Sequence, residues 1–241
     1  AESKVFKKHF EIASLLSLSC FRVYQARLKK NPSIPFLLIE TGIGPAASQK
    51  AAEYVFEHYS ILEAWLFGLA GACKPDLKVG DLLIASMIAN ELLSEQNWIH
   101  CHPSAIELTK KLVQKMGLDS HTGSLVTIET VAHRPEEKLL LGNRFGFLGV
   151  EMEAFPIAQK AQSKHVSFQQ IRWVLDRAEE SLLNLDGMID VQGRPLPFKM
   201  LFGFFKNPSK ILEIPRLIHH VQKALHAMQL FAEKWLAERF Q

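Results

Sequence analysis

The chain is short of several things. Only three of its 241 residues are cysteine, Cys20, Cys73 and Cys101, with no CxxC spacing and one thiol left over from any pairing scheme. That excludes a disulfide framework and points to a reducing compartment. No uncharged apolar run approaches the ~20 residues of a membrane-spanning helix, and no signal-type apolar core stands near the start. A cytoplasmic location without export is expected. The charge excess is only +3, too small for nucleic acid without a concentrated basic face. There is no GxGxxG, so a dinucleotide fingerprint fails, and no repeat or low-complexity tract.

What is present is a globular composition, 48% hydrophobic and 22% charged, of a length suited to one large α/β domain. We expect a single domain over 1–241. Its 187–241 portion is a C-terminal segment, basic and aromatic at first and closing in a helix over about 209–239. Residues 2–16 read as a short amphipathic helix. Strands are expected at 18–27, 35–40, 64–69, 79–88, 125–128, 148–150 and 166–174, and helices near 45, at 103–116, from 135 and at 153–163. Alternation of helices with apolar strands implies a mixed, mostly parallel sheet covered on both faces. The fold class is therefore α/β, a three-layer α/β/α sandwich.

Ligands of such sheets bind at the carboxyl ends of strands. Four segments fall there: Thr41-Gly42-Ile43-Gly44, Gly68-Leu69-Ala70-Gly71, Val150-Glu151-Met152-Glu153-Ala154 and Arg172-Trp173-Val174-Leu175-Asp176. Gly68 and Gly71 read equally well as residues that let a strand turn tightly. Paired carboxylates after an apolar strand are costly unless paired or used. A charge effect at a helix N-terminus and a ligand contact both fit them. Asp176 fits an acid–base group or a helix N-cap. His100-Cys101-His102 has alternate residues of metal-ligating type but no second pair at ligand spacing, so no metal is expected. His219-His220 is expected on the surface.

In this order, TGIG (41–44), GLAGACKPDLKVGD (68–81), VEMEA (150–154) and RWVLD (172–176) resemble the nucleoside phosphorylase and methylthioadenosine/adenosylhomocysteine nucleosidase superfamily. The stretches 127–131 and 134–138, with 193–217, resemble its hopanoid-associated phosphorylase branch. The resemblance implies cleavage of the N-glycosidic bond between a purine, here adenine, and ribose, and its hopanoid-associated branch points to an adenosyl-lipid of the adenosylhopane type as substrate. It implies that Asp176 protonates the base and that Glu153 holds the ribose hydroxyls, with Met152 and Glu151 beside it. Ala70, Gly71, Val131 and Ala132 would wall the base, and Thr41, Gly42 and Gly44 would form the turn at the nucleophile site.

Nucleosidases of the superfamily use a water activated by a Glu near the amino terminus, where Glu2 fits by spacing; the chain as given would then lack the first strand. Phosphorylases instead carry an Arg and a Ser or Thr at the places of Leu66 and Leu69, a departure that leans towards hydrolysis. Thr41, Ser48 and Arg22 remain as phosphate contacts. Leu175 departs from the Ser common in nucleosidases. No cofactor is implied, with phosphate the one co-substrate to consider. The alternatives are phosphorolysis of a purine nucleoside, hydrolysis of methylthioadenosine or adenosylhomocysteine, or a non-catalytic nucleoside- or lipid-binding module. The expected partners are a small purine nucleoside and a second copy of the chain in a homo-oligomer. For 198–217, where four Phe stand with Met and Leu among two Lys in 198–206, a peripheral membrane contact and a lid or subunit contact over the pocket both fit.

Overall fold

The computed structural model describes residues 2–92, 95–183 and 213–240. Most of the tail segment 187–241 that precedes the last helix, including the aromatic stretch 198–206, lies outside them. The described elements are, in order, α1 (Glu2–Lys7), β1 (Phe10–Ser17), β2 (Arg22–Leu28), β3 (Asn31–Glu40), α2 (Pro45–His58), β4 (Glu63–Ala72), β5 (Leu82–Asn90), β6 (Ile99–His100), α3 (Pro103–Met116), β7 (Ser120–Thr127), α4 (Pro135–Phe145), β8 (Gly149–Glu151), α5 (Ala154–Ser163), β9 (Ser167–Asp176) and α6 (Ile214–Arg239).

Local chemistry sets the helix ends. Proline opens α2, α3 and α4 at the first turn, where its missing N–H has no helical partner to lose. Left-handed Gly117 and Gly146 close α3 and α4. At the head of α4 the Arg134 amide and its Nε both donate to the Glu137 carboxylate, at 3.2 and 2.8 Å.

Two sheets result. β1, β2 and β3 form an antiparallel meander, and the larger mixed sheet runs β6-β5-β7-β8-β4-β9. β9 also pairs antiparallel with β5 through Leu82↔Trp173 and Ile84↔Ile171, so the larger sheet curls back on itself. Helices cover both of its faces, as expected of a three-layer α/β fold. On one face Ala52 and Phe56 of α2 and Phe155, Ala158 and Ala161 of α5 pack on Ala70, Leu83 and Val174. On the other, Ala224, Met228, Phe231 and Trp235 of α6 pack on Leu82, Ile84, Ile171 and Trp173, together with Leu112 and Val113 of α3. Spacings of three and four residues along α6 put its apolar side chains on one stripe.

The amino-terminal expectation is corrected. The helix ends at Lys7, and Phe10–Ser17 is a strand with Leu15↔Tyr24 and Leu16↔Val23 in register. Its apolar residues suit a helix period, but β-pairing with β2 decides the outcome. The 68–71 segment is also not a turn. β4 runs on to Ala72 because β8 pairs with its end, Gly71↔Val150 and Ala72↔Gly149.

Candidate active site

Strand β8 ends at Glu151 and Glu153 caps the start of α5, and the two acids divide their work. Glu151 is buried, and it accepts from the backbone N–H of Glu153 (3.0 Å) and of Ala154 (3.0 and 3.3 Å to its two oxygens). It also accepts from the Thr127 hydroxyl and from Nη2 of Arg172. The Phe155 N–H goes to Thr127 Oγ1 at 3.0 Å. The orphan amides at the start of α5 are thus satisfied by Glu151 and Thr127. Glu151, expected beside the ribose, spends both oxygens on protein donors. Its carboxylate is a holder of Arg172 and of the helix start.

Glu153 has fewer donors. Its Oε1 accepts from the Gly44 N–H (3.2 Å) and its Oε2 from Arg172 Nη2 (3.2 Å), and its side chain keeps 17% exposure. Burial raises its pKa, the Arg172 charge opposes this, and Glu151 and Glu2 add to the rise. Gly44 lies at φ +87°, where a side chain would strain the backbone, and heads α2. The glycine turn therefore delivers a helix-start amide to Glu153. A methyl on Gly44 would stand 3.8 Å from Met152 Cε, so turn and methionine are neighbours.

Arg172 is the cation that binds this group. It lies on β9, buried, with Nη1 donating to the Leu69 carbonyl at 3.3 Å. A Cβ on Gly68 would fall 2.0 Å from that Nη1. Gly68 is needed as empty space for a guanidinium, which replaces the expected tight turn. Glu2, from α1, accepts from the Leu69 N–H at 2.9 Å. Its charge acts on both Glu153 and Arg172. Glu151 and Glu153 thus pair with one guanidinium, and the charge of Glu2 acts on it from the Leu69 amide.

Four residues beyond Arg172 on the same strand stands Asp176, buried and paired with Lys138 of α4. Burial raises the Asp176 pKa, Lys138 opposes and Glu180 adds. A Cβ on Gly71 would lie 3.2 Å from Val150 Cγ1, 3.3 Å from Asp176 Oδ1 and 3.4 Å from Lys138 Cδ. Glycine here lets β8, β9 and α4 close together. Gly142, one turn after Lys138, packs so tightly that its Cβ would meet the Cys73 carbonyl at 1.9 Å. The inward face of α4 is therefore Lys138 and Gly142, with no large apolar residue at those two positions.

The remaining predicted residues distribute as follows. Ala70 is buried in the core among α2 and α5 residues, whereas Ala132 and Met152 pack together around Val126, Ile128 and Val150. Val131 is partly buried next to Ala132. The Thr41 hydroxyl donates to the Gly42 carbonyl at 3.1 Å. Of the residues considered for phosphate, Ser48 is buried and donates to Pro45 O (3.0 Å), and Arg22 pairs with Glu40 (3.1 Å). Cys73 and Cys101 have their pKa pushed up to about 12 by burial, which excludes thiolate chemistry at neutral pH.

Among the described residues no three His, Cys, Asp or Glu side chains are grouped to hold a metal, and no helix is long and apolar enough to cross a membrane. β6 ends at His100, so His100 and His102 do not lie on one strand. His220, expected on the surface, turns inward with Nδ1 3.9 Å from Glu180 Oε2, while His219 is exposed. Lys138, Arg172 and Thr127 were not identified from sequence as site residues. The signals that could have found them are the glycine at 68 inside an apolar strand and a lysine on the apolar side of α4.

The pattern of the Phosphorylase superfamily matches residues 7–190. A 5'-methylthioadenosine/S-adenosylhomocysteine nucleosidase of Oceanobacillus iheyensis is 24% identical over 173 residues, 66% of this chain and 76% of the relative. A DeoD-type purine nucleoside phosphorylase of Caldanaerobacter subterraneus subsp. tengcongensis is 28% identical over 120 residues, 47% of this chain and 52% of the relative. The chain thus spans about half the length of that second relative. A solved structure of 5'-methylthioadenosine/S-adenosylhomocysteine nucleosidase from Helicobacter pylori with butyl-thio-DADMe-Immucillin-A has the same fold. It superposes with a TM-score of 0.74 at 17% identity over 98% of this chain and 94% of that one.

Proposed function

The chain belongs to the Phosphorylase superfamily, and from that premise we propose that it cleaves the N-glycosidic bond of a purine nucleoside, with adenine as the leaving base. The observation that carries the proposal is the convergence of Glu153, held by Arg172, and Glu2, held by the Leu69 N–H beside it, with Asp176 four residues farther along β9.

Breaking the bond asks for three things: a proton for the base, support for an oxocarbenium-like sugar, and a nucleophile on its far side. Asp176 gives its proton to purine N7 as the C–N electrons move into the ring system. Glu153 keeps lone pairs free and accepts from the 2′- and 3′-hydroxyls, while Met152 packs on the ribose. Glu151 serves by fixing Arg172 and makes no sugar contact. Gly71, with Ala70 behind it and Val131 and Ala132 opposite, borders the base.

The nucleophile we assign is water. Glu2 takes its proton as the oxygen bonds to the anomeric carbon, and the products are free adenine and the ribose carrying its 5′ group. Two carboxylates on one guanidinium, with the Glu2 charge acting on the same cation, support this choice, because a phosphate dianion would add charge to an already acidic group. Ser48, Arg22 and Thr41 are committed to other partners. The phosphorylase among the relatives keeps phosphorolysis as the second reading. Adenine release from methylthioadenosine, adenosylhomocysteine and a 5′-long-alkyl adenosine, each with and without phosphate, tests both. Turnover in phosphate-free buffer is expected, and strict phosphate dependence overturns hydrolysis.

For the 5′ group we favour an adenosyl-lipid of the adenosylhopane type. The support is the resemblance of 127–138 and 193–217 to the hopanoid-associated branch. A homo-oligomer and a peripheral membrane contact through 198–217 belong to the same reading and rest on sequence alone. In the substrate panel, preference for the long-alkyl adenosine is the expected result, and preference for methylthioadenosine overturns it.

A further inference from the structure

Lys138 has no role in the chemistry above, yet its side chain is completely buried. Nothing in a three-layer fold requires an ammonium there; burying one is strongly unfavourable unless every proton is used. Every proton is. Nζ donates to Asp176 Oδ2, to the Arg177 carbonyl (2.6 Å) and to the Glu180 carbonyl (2.7 Å), three acceptors for three N–H bonds. The contacts tie α4 to the carboxyl end of β9 and to the segment that follows it. That segment in turn meets the wall at 131–133, where the Leu182 N–H donates to the His133 carbonyl at 3.0 Å.

The consequence for Asp176 is an asymmetric carboxyl group. Oδ2 is held by Lys138, while Oδ1 looks at Gly71, 3.3 Å from where a Cβ would stand. We propose that Lys138 is the positioning residue of the acid, which pins Oδ2, presents Oδ1 toward Gly71 and the leaving base, and favours the carboxylate that remains once the proton has gone. The inference rests on the assignment of Asp176 as proton donor.

The other groups that bear on Asp176 are Glu180 beyond β9, His220 of α6 beside Glu180, and the Cys73 thiol at the end of β4. Among them Lys138 opposes the effect of burial most. Removing its charge makes Asp176 a weaker acid, so the carboxyl keeps its proton to higher pH. A general acid works only while protonated. The basic limb of the kcat/KM–pH profile should therefore move up by about one unit or more in Lys138→Gln, while the rate at the optimum falls. His220→Ala should leave the limb in place.

The test is the pH profile of adenine release by the full chain, Lys138→Gln and Lys138→Arg, from whichever panel nucleoside is cleaved fastest. The expected result is a raised limb in the glutamine variant and an unmoved limb in the arginine variant. A slower Lys138→Gln enzyme with its limb unmoved overturns the inference and leaves Lys138 a structural residue. Asp176→Asn separates the two failures: full turnover there removes the acid itself, whereas no turnover with an unmoved Lys138→Gln limb removes only this inference. Should Lys138→Gln lose its cooperative melt, lysine ¹⁵N spectra of the unaltered chain decide. A slowly exchanging ammonium resonance that shifts when adenine is added supports the proposal, and one indifferent to adenine contradicts it.

Discussion

Two carboxylates, Glu40 at the end of β3 and Glu153 at the N-cap of α5, have opposite surroundings. Glu40, closing β3, accepts from the Ser3 hydroxyl and Lys7 Nζ of α1 (both 2.6 Å) and from Arg22 Nη1 and the Tyr24 hydroxyl of β2 (both 3.1 Å). Burial would raise its pKa, but the bonds from Lys7, Ser3 and Tyr24 bring it down to about 2. Glu153 shares its one cation with Glu151 and is pushed the other way. A carboxylate saturated with donors is a fastening, and one starved of donors is ready for a ligand. The fastening here serves the site, because α1 carries both Ser3 and Lys7 to Glu40 and Glu2 to the Leu69 amide.

Substitutions can break that contrast to different degrees. The largest effect is expected of Asp176→Asn, which keeps shape but has no proton to give; single-turnover assays should show adenine release slowed roughly 10²–10⁴-fold. Next comes Arg172→Met. It strands Glu151 and Glu153 without their cation, and denaturant melts should register a loss of about 3–5 kcal/mol.

Glu153→Gln sharpens the comparison, since it relieves the starved carboxylate. A folded-state pKa raised above the unfolded one means stability is lost as pH rises through it. The amide removes that loss, so thermal melts at pH 8 should show a Tm above that of the unaltered chain while turnover falls by about a hundredfold. Glu40→Gln should do the reverse. It lowers stability by about 1 kcal/mol, the group being partly exposed, with the smallest direct effect on rate. In the unaltered chain the Glu40 contribution is complete above the ordinary carboxylate range near 4.3 and disappears as pH falls towards about 2. An acid titration of Glu40→Gln should accordingly be flatter over that interval.

Much of the frame was legible from sequence because its signals are local. Pro103 and Gly117 bracket α3, Pro135 opens α4, and apolar runs mark β4, β5 and β9. The exception at the amino terminus is instructive. Phe10–Ser17 carries apolar residues at helix-like intervals, and only the presence of β2 alongside makes it a strand.

At the site, the acids of VEMEA and RWVLD drew attention by themselves, since ionised groups after apolar strands are rare. Their cations did not. Arg172 reads as one residue of a strand, and Lys138 as one more charge on an acidic helix start, until packing brings them to Glu151 and Asp176. The division of labour between Glu151 and Glu153 was equally hidden, because it depends on Thr127, 24 residues upstream of Glu151, taking one hydrogen-bonding direction.

The central claim is that Asp176 and Glu153 act on one nucleoside, from its base and its sugar. A crystal structure of the full chain with a non-cleavable adenosine analogue tests it most directly. The account predicts Asp176 Oδ1 within hydrogen-bond distance of purine N7 and Glu153 between the 2′- and 3′-hydroxyls. An analogue that bonds Glu153 with its base turned away from the Lys138–Asp176 pair, or that binds apart from both, would contradict it.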